Sequence, residues 1–106
     1  MTEEEARRAP GWLGEHGRRE WARIVKKLGD AGVLESVDIV ATEAYCRSYE
    51  TWRRAEEWID KNGLAAISRN DKGEVKAVNA VPHVGISKTA QGQMARFLRE
   101  CGITTH

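Results

Sequence analysis

The chain has 106 residues, of which 41% are hydrophobic and 31% charged. That is the size and balance of one ordered domain, and it excludes low-complexity and collagen-like chains. Lys plus Arg number 17 and Asp plus Glu 16, so a net charge of +1 excludes global attraction to DNA or membrane, and any basic site is local.

Residues 1–11 are charged and end in Ala9-Pro10-Gly11, which reads as a flexible N-terminal tail. The opening Met-Thr-Glu-Glu-Glu is not a secretory leader. No apolar run approaches the length of a membrane span, so no membrane partner is expected. Two cysteines, Cys46 and Cys101, make no disulfide framework, and reduced thiols inside a cell are the expectation.

Residues 12–106 read as a single, mainly α domain: a long helical hairpin, a small β-hairpin and a C-terminal helix. The first helix is predicted over about 15–30. Trp21, Ile24, Val25 and Leu28 fall on one face, Trp12 and Leu13 are placed to staple the entry, and Gly32 is the better C-terminal cap. Ser36 is the predicted N-cap of a second helix over about 37–62, with Asp38 in its first turn. Ala41, Tyr45, Ser48, Trp52, Ala55 and Ile59 form its seam at about 3.5-residue spacing. Asn62-Gly63 stops it. β-capable runs around Asn70-Asp71-Lys72-Gly73 predict a hairpin over about 64–78. Two strands alone are marginal, so it must lean on helices or on another chain. Pro82 opens a last helix over about 83–101, with Ile86, Ala90, Met94, Phe97 and Cys101 on its apolar face and Gly102 as cap.

Little in the sequence carries chemistry. No Gly-rich phosphate loop of the nucleotide-binding type is present. His16, His83 and His106 form no helical ligand pair, and Cys101 with His106 would supply only part of a zinc site. Cys46 sits inside a helix, away from the N-terminal dipole that activates thiols. No catalytic residue, cofactor or metal is expected.

Charge is unevenly spread. Residues 15–34 carry net +2, residues 35–63 net −3 and residues 64–106 net +3. At about 100° per residue, Arg19, Arg23, Lys26 and Lys27 cover the face of the first helix opposite its apolar stripe. Such a face can neutralise phosphates without reading bases. Arg69, Lys72 and Lys76 of the hairpin are a second candidate DNA contact. Four tryptophans are many for this length. Trp21 and Trp52 fall on core-facing stripes, whereas Tyr49 and Trp58 fall off the seam. Tyr49, Trp52 and Trp58 are the candidate oligomer interface, since large aromatics bury much area at little entropy cost. Trp58 alternatively covers the hairpin.

The order Trp21-Ala-Arg-Ile-Val-Lys-Lys-Leu28, Gly32-Val-Leu34, Asp38, then Tyr45-Cys46-x-x-Tyr49-x-x-Trp52-x-x-Ala55 and Gly63-Leu64 resembles the small-subunit terminase family of tailed bacteriophages. Asn79, Pro82 and Cys101-Gly102-Ile103 continue the resemblance, although Ala80-Val81 separate Asn79 from Pro82 where relatives often join them. The resemblance implies a non-enzymatic subunit that recognises double-stranded viral DNA for packaging. It would recruit and regulate the large ATPase-nuclease subunit, as a homo-oligomeric ring in the cytoplasm of the infected bacterial host. An HNH endonuclease is a further implied partner. From the residues alone, a small helical transcription regulator and a protein-binding adaptor remain alternatives.

Overall fold

The computed structural model describes residues 1–103, so His106 lies outside the described residues. The elements are α1 (Glu3–Ala6), α2 (Glu15–Asp30), a 3₁₀ turn (Leu34–Ser36), α3 (Ile39–Asn62), β1 (Ala65–Arg69), β2 (Val75–Ala80) and α4 (Pro82–Glu100). The chain is mainly α, as its helical periods predict.

Helix α2 occupies its predicted span. Trp21, Ile24 and Leu28 are buried, and Val25 is half-buried beside them. A Schellman motif ends the helix. The Val33 N–H donates to Leu28 O at 3.1 Å and the Gly32 N–H to Gly29 O at 3.1 Å. Gly32 sits at φ +74°, which a side chain would strain. The same motif ends α4, with Ile103 N–H on Leu98 O at 2.9 Å. Leu13 is buried at the entry to α2, but Trp12 is exposed, with the Arg47 guanidinium 5.7 Å from its ring centroid.

Two local expectations differ. The N-cap of α3 is Asp38, whose Oδ1 accepts from the Val40 N–H at 2.9 Å. Ser36 closes the preceding 3₁₀ turn instead, and its hydroxyl donates to Val33 O at 2.8 Å. The first residues, expected as a loose tail, carry the one-turn helix α1. Thr2 and Glu5 form a reciprocal capping box there, and Ala6 is buried. The Trp21 indole N–H donates to Ala6 O at 2.8 Å, which ties this segment to α2. The gain is a satisfied buried indole; the cost is the ordering of a few charged residues.

Helix α3 is the central pillar. Its 24 residues span about 36 Å. Contacts run down α3 as they run up α4: Trp58 with His83, Glu56 with Ser87, Ser48 with Gln93, and Tyr45 with Phe97. The two helices are therefore antiparallel neighbours. Helix α2 also lies antiparallel to α3, through His16 with Glu57, Gly17 with Glu50 and Glu20 with Tyr45. The core sits where all three helices meet, around Leu13, Ile24, Leu28, Cys46, Phe97 and Leu98.

The β-hairpin stands away from that core. β1 and β2 pair antiparallel, with Ile67 opposite Val78 and an irregularity between Ser68 and Arg69. Asn70 Oδ1 accepts from the Lys72 and Glu74 N–H groups at 2.9 and 3.0 Å, and Gly73 takes a positive φ of 79° to close the turn. The molecule is elongated, 62 × 26 × 20 Å with a radius of gyration of 18.0 Å. A compact chain of this length would have about 13 Å.

Candidate nucleic-acid and assembly surfaces

The four cations predicted for α2 do not form one free basic face. Arg19 pairs with Glu15 and Lys26 with Asp30, the latter at 3.1 Å, and all four side chains are exposed. Such (i, i+4) pairs contribute about 0.3–0.5 kcal/mol each and exchange readily for phosphate. Lys27 lies at the rim of a cleft between α2, α3 and α4.

Arg23 is different. Its Nε and Nη2 both donate to the Glu20 carboxylate at 2.6 Å. The Glu20 side chain is 1% exposed and that of Arg23 is 53% exposed. The Tyr45 hydroxyl, buried beneath Phe97, donates to the same carboxylate and accepts from Arg23 at 3.5 Å. Burial, reinforced by the bond to Glu20, pushes the Tyr45 hydroxyl well above its ordinary pKa. The hydrogen bonds to Glu20 likewise raise Arg23 above the usual guanidinium range. The cluster is thus a buried carboxylate held by a cation and a neutral phenol. Reversing Arg23 would set a second carboxylate against Glu20, so this residue supports the fold as well as the surface charge.

A second buried carboxylate closes the other end of α2. Its N-cap, Gly14, has no side chain to offer. Glu50 of α3 replaces it: the Gly17 N–H donates to Oε1 at 2.9 Å, and Arg54 Nε donates to Oε2 at 2.8 Å. Burial pushes the Glu50 carboxyl up, but these donors outweigh it and hold it below its ordinary value. A Cβ on Gly14 would lie 2.4 Å from Glu50 Oε1, and one on Gly17 would lie 3.2 Å from Cys46 O. Helical spacing alone shows neither contact, since Glu20 meets Tyr45 25 positions away and Glu50 meets Gly17 33 positions away. The available signal was a helix opening Gly14-x-x-Gly17 with no side-chain cap.

The hairpin cations are disposed otherwise. Arg69 Nη1 donates to Gly73 O at 3.0 Å, which braces the turn. Lys72 and Lys76 are exposed, and among the described residues neither pairs with an acid. Arg69, Lys72 and Lys76 thus share one projecting arm, apart from the α2 cations.

The aromatic residues named for an interface have intrachain partners. Trp58 is half-buried and stacks on His83, with centroids 4.0 Å apart and planes 3° apart. That stack ties α3 to α4. Tyr49 meets Trp52 edge-on at 5.6 Å. Both line the cleft that Lys27 rims, a volume of about 430 Å³ shared with Glu20, Arg23, Met94 and Leu98. Trp52 Nε1 is buried there without a hydrogen-bond partner among the described residues.

Burial pushes the Cys46 thiol up to about 12, which keeps it protonated and unreactive at neutral pH. Among the described residues, no three His, Cys, Asp or Glu side chains gather as metal ligands. No described helix is long and apolar enough to cross a membrane. The arrangement offers surfaces and a folded scaffold, and its buried polar groups serve that scaffold.

Comparison with known families adds one finding. The model of the family described as phage terminase, small subunit, matches residues 17–106, which take in α2, α3, the hairpin and α4. No curated protein and no solved structure matches the chain.

Proposed function

Given that this chain belongs to the phage terminase small-subunit family, whose role lies in packaging phage DNA, we propose that it recognises double-stranded viral DNA and delivers it to the large subunit. The large subunit would supply the ATPase and nuclease chemistry, and the small subunit regulates it without chemistry of its own. The working form is a homo-oligomeric ring in the cytoplasm of the infected bacterial host, with an HNH endonuclease as a further partner. The observation that carries this reading is the family match across nearly the whole helical body.

The surface charge supports a phosphate contact made in many copies. Each chain offers Arg19, Arg23, Lys26 and Lys27 on α2, with the Arg23 guanidinium half in solvent above Glu20, and Arg69, Lys72 and Lys76 on the hairpin. With a net charge of +1, one chain binds DNA weakly. Repeated in a ring, weak contacts multiply through effective concentration. Tyr49, Trp52 and Trp58 remain the aromatic residues proposed to strengthen the ring, through the parts of their rings left uncovered.

The test is duplex binding by fluorescence anisotropy across a salt series. Two charge reversals are compared with the unaltered chain: Arg19→Glu with Lys26→Glu, and Lys72→Glu with Lys76→Glu. Each lost phosphate contact should flatten the slope of log affinity against log salt by about 1. Salt-independent binding, or two variants with unchanged affinity, would contradict the reading.

A further inference from the structure

A groove runs between α2 and α4 with α3 as its floor. Both helices pack on α3 and make little contact with each other. The floor carries Tyr49 and Trp52, one helical turn apart and each half-buried. The α4 wall carries Met94, Ala95 and Leu98, none of them charged. The α2 wall carries Arg23 and Lys27, again one turn apart. Glu20 lies beneath them, but its side chain is 1% exposed and its carboxylate already accepts from Arg23 and Tyr45. The Arg23 side chain is 53% exposed. The charge that reaches an occupant is therefore positive and comes from one wall. The groove encloses about 430 Å³, and its floor from Tyr45 to Trp52 runs about 10 Å, two helical turns.

We propose that this groove docks an acidic amphipathic helix of another protein. The lining residues recur once per turn on all three helices, so a helix laid along the groove meets them with its own stripe at the same spacing. Its apolar side chains would cover Tyr49, Trp52, Met94 and Leu98, as a fourth helix completes a bundle. The wall charges select the rest. Acids along one edge of the stripe meet Arg23 and Lys27, while the other edge meets Ala95. That fixes the rotation of the incoming helix and opposes a basic one. A second copy does not supply such a helix. Among the described residues, the exposed large apolar side chains on helices are Val40 and Ile86. Val40 stands alone on α3, and the one acid of α4 is Glu100, at the far end from Ile86. Nucleic acid fits less well. Tyr49 meets Trp52 edge-on, and the α4 wall presents aliphatic side chains where stacked bases need ring faces. The proposal goes beyond the multi-chain reading and competes with it for Tyr49 and Trp52.

The experiment titrates the full chain into fluorescein-labelled, capped helical peptides of about 16 residues and follows anisotropy. The peptides share one leucine stripe and carry Glu, Gln or Lys along its edge. Circular dichroism checks the helices of each variant, and light scattering follows mass with and without peptide. The Glu peptide should bind with a dissociation constant of tens of micromolar, and the Lys peptide at least about tenfold more weakly. Lys27→Glu should reverse that order and leave the helical signal intact. Ala95→Gln sets an amide on the uncharged wall from an exposed position, and it should weaken all three peptides about fivefold. It carries the test should Lys27→Glu lose helix. The proposal falls if no peptide binds below about 1 mM, or if the order Glu, Gln, Lys is absent. It falls also if the Glu peptide breaks a multi-chain species into single chains, which would give the groove to a second copy. An oligothymidylate weakened by Ala95→Gln would give it to nucleic acid and overturn the proposal as well. Failure on the peptides leaves the DNA reading standing, because duplex binding is read separately.

Discussion

Arg23 separates the folding role of the α2 cations from any role on DNA. Arg23→Ala removes two 2.6 Å donors from a carboxylate that is 1% exposed. Breaking a fully buried ion pair from one side costs about 3–5 kcal/mol. Here the cost is smaller. Arg23 is itself half in solvent, so water enters the space it vacates, and the Tyr45 hydroxyl still donates to Glu20. Hydrogen bonds to a charged group contribute about 1.5–3 kcal/mol, which sets the expected loss near 2 kcal/mol. For a domain of this size that lowers the melting temperature by about 10 °C. Lys26→Ala removes only an exposed pair with Asp30 and should cost less than about 0.5 kcal/mol, or 2–4 °C. Thermal and urea melts of the two variants, followed by circular dichroism at neutral pH, make the comparison. Equal and small losses would mean that Glu20 is not held as the structure describes.

Glu50 gives a pH prediction. Its carboxyl is held below the ordinary value in the folded chain, so its contribution is complete above that ordinary value, near 4.3. The contribution is lost as pH falls through the depressed folded value. Glu50→Gln should therefore melt lower than the unaltered chain at pH 7, and the two curves should converge toward pH 3. Parallel curves would remove Glu50 as the cap of α2. Gly14→Ala places a Cβ on Glu50 Oε1, displaces the carboxylate from Gly17, and should cost about 1–2 kcal/mol. Combined with Glu50→Gln its cost should shrink, because both substitutions damage one contact. Additive losses in urea titration would show that they act separately.

The helices were legible because their apolar spacing is regular. α2 ends where its period stops, at a glycine that can adopt positive φ. The start of α3 was less legible, since Ser36 and Asp38 are both good caps. Which one caps depends on Val33 and Val37 packing into the core, and that turns the 3₁₀ segment before the helix begins. The N-terminal turn is too short to show a period, although Thr2-x-x-Glu5 carried the capping-box pattern. The site was less legible than the fold. A helical wheel places Arg23 beside Lys26 and Lys27, but it does not show that Glu20 turns inward to meet Tyr45, a residue 25 positions away. Nor does spacing distinguish Trp58 on an interface from Trp58 stacked on His83. The β-capable runs showed a hairpin, and only the fold shows that its Ile67 and Val78 are left exposed.

The packaging role as read here depends on many chains acting together on a duplex. Light scattering of the unaltered chain at about 0.15 M salt, with and without double-stranded DNA, measures that dependence directly. A multi-chain species that binds the duplex, and releases it as salt rises, is the expected result. A chain that stays at 11.9 kDa in both conditions would contradict it.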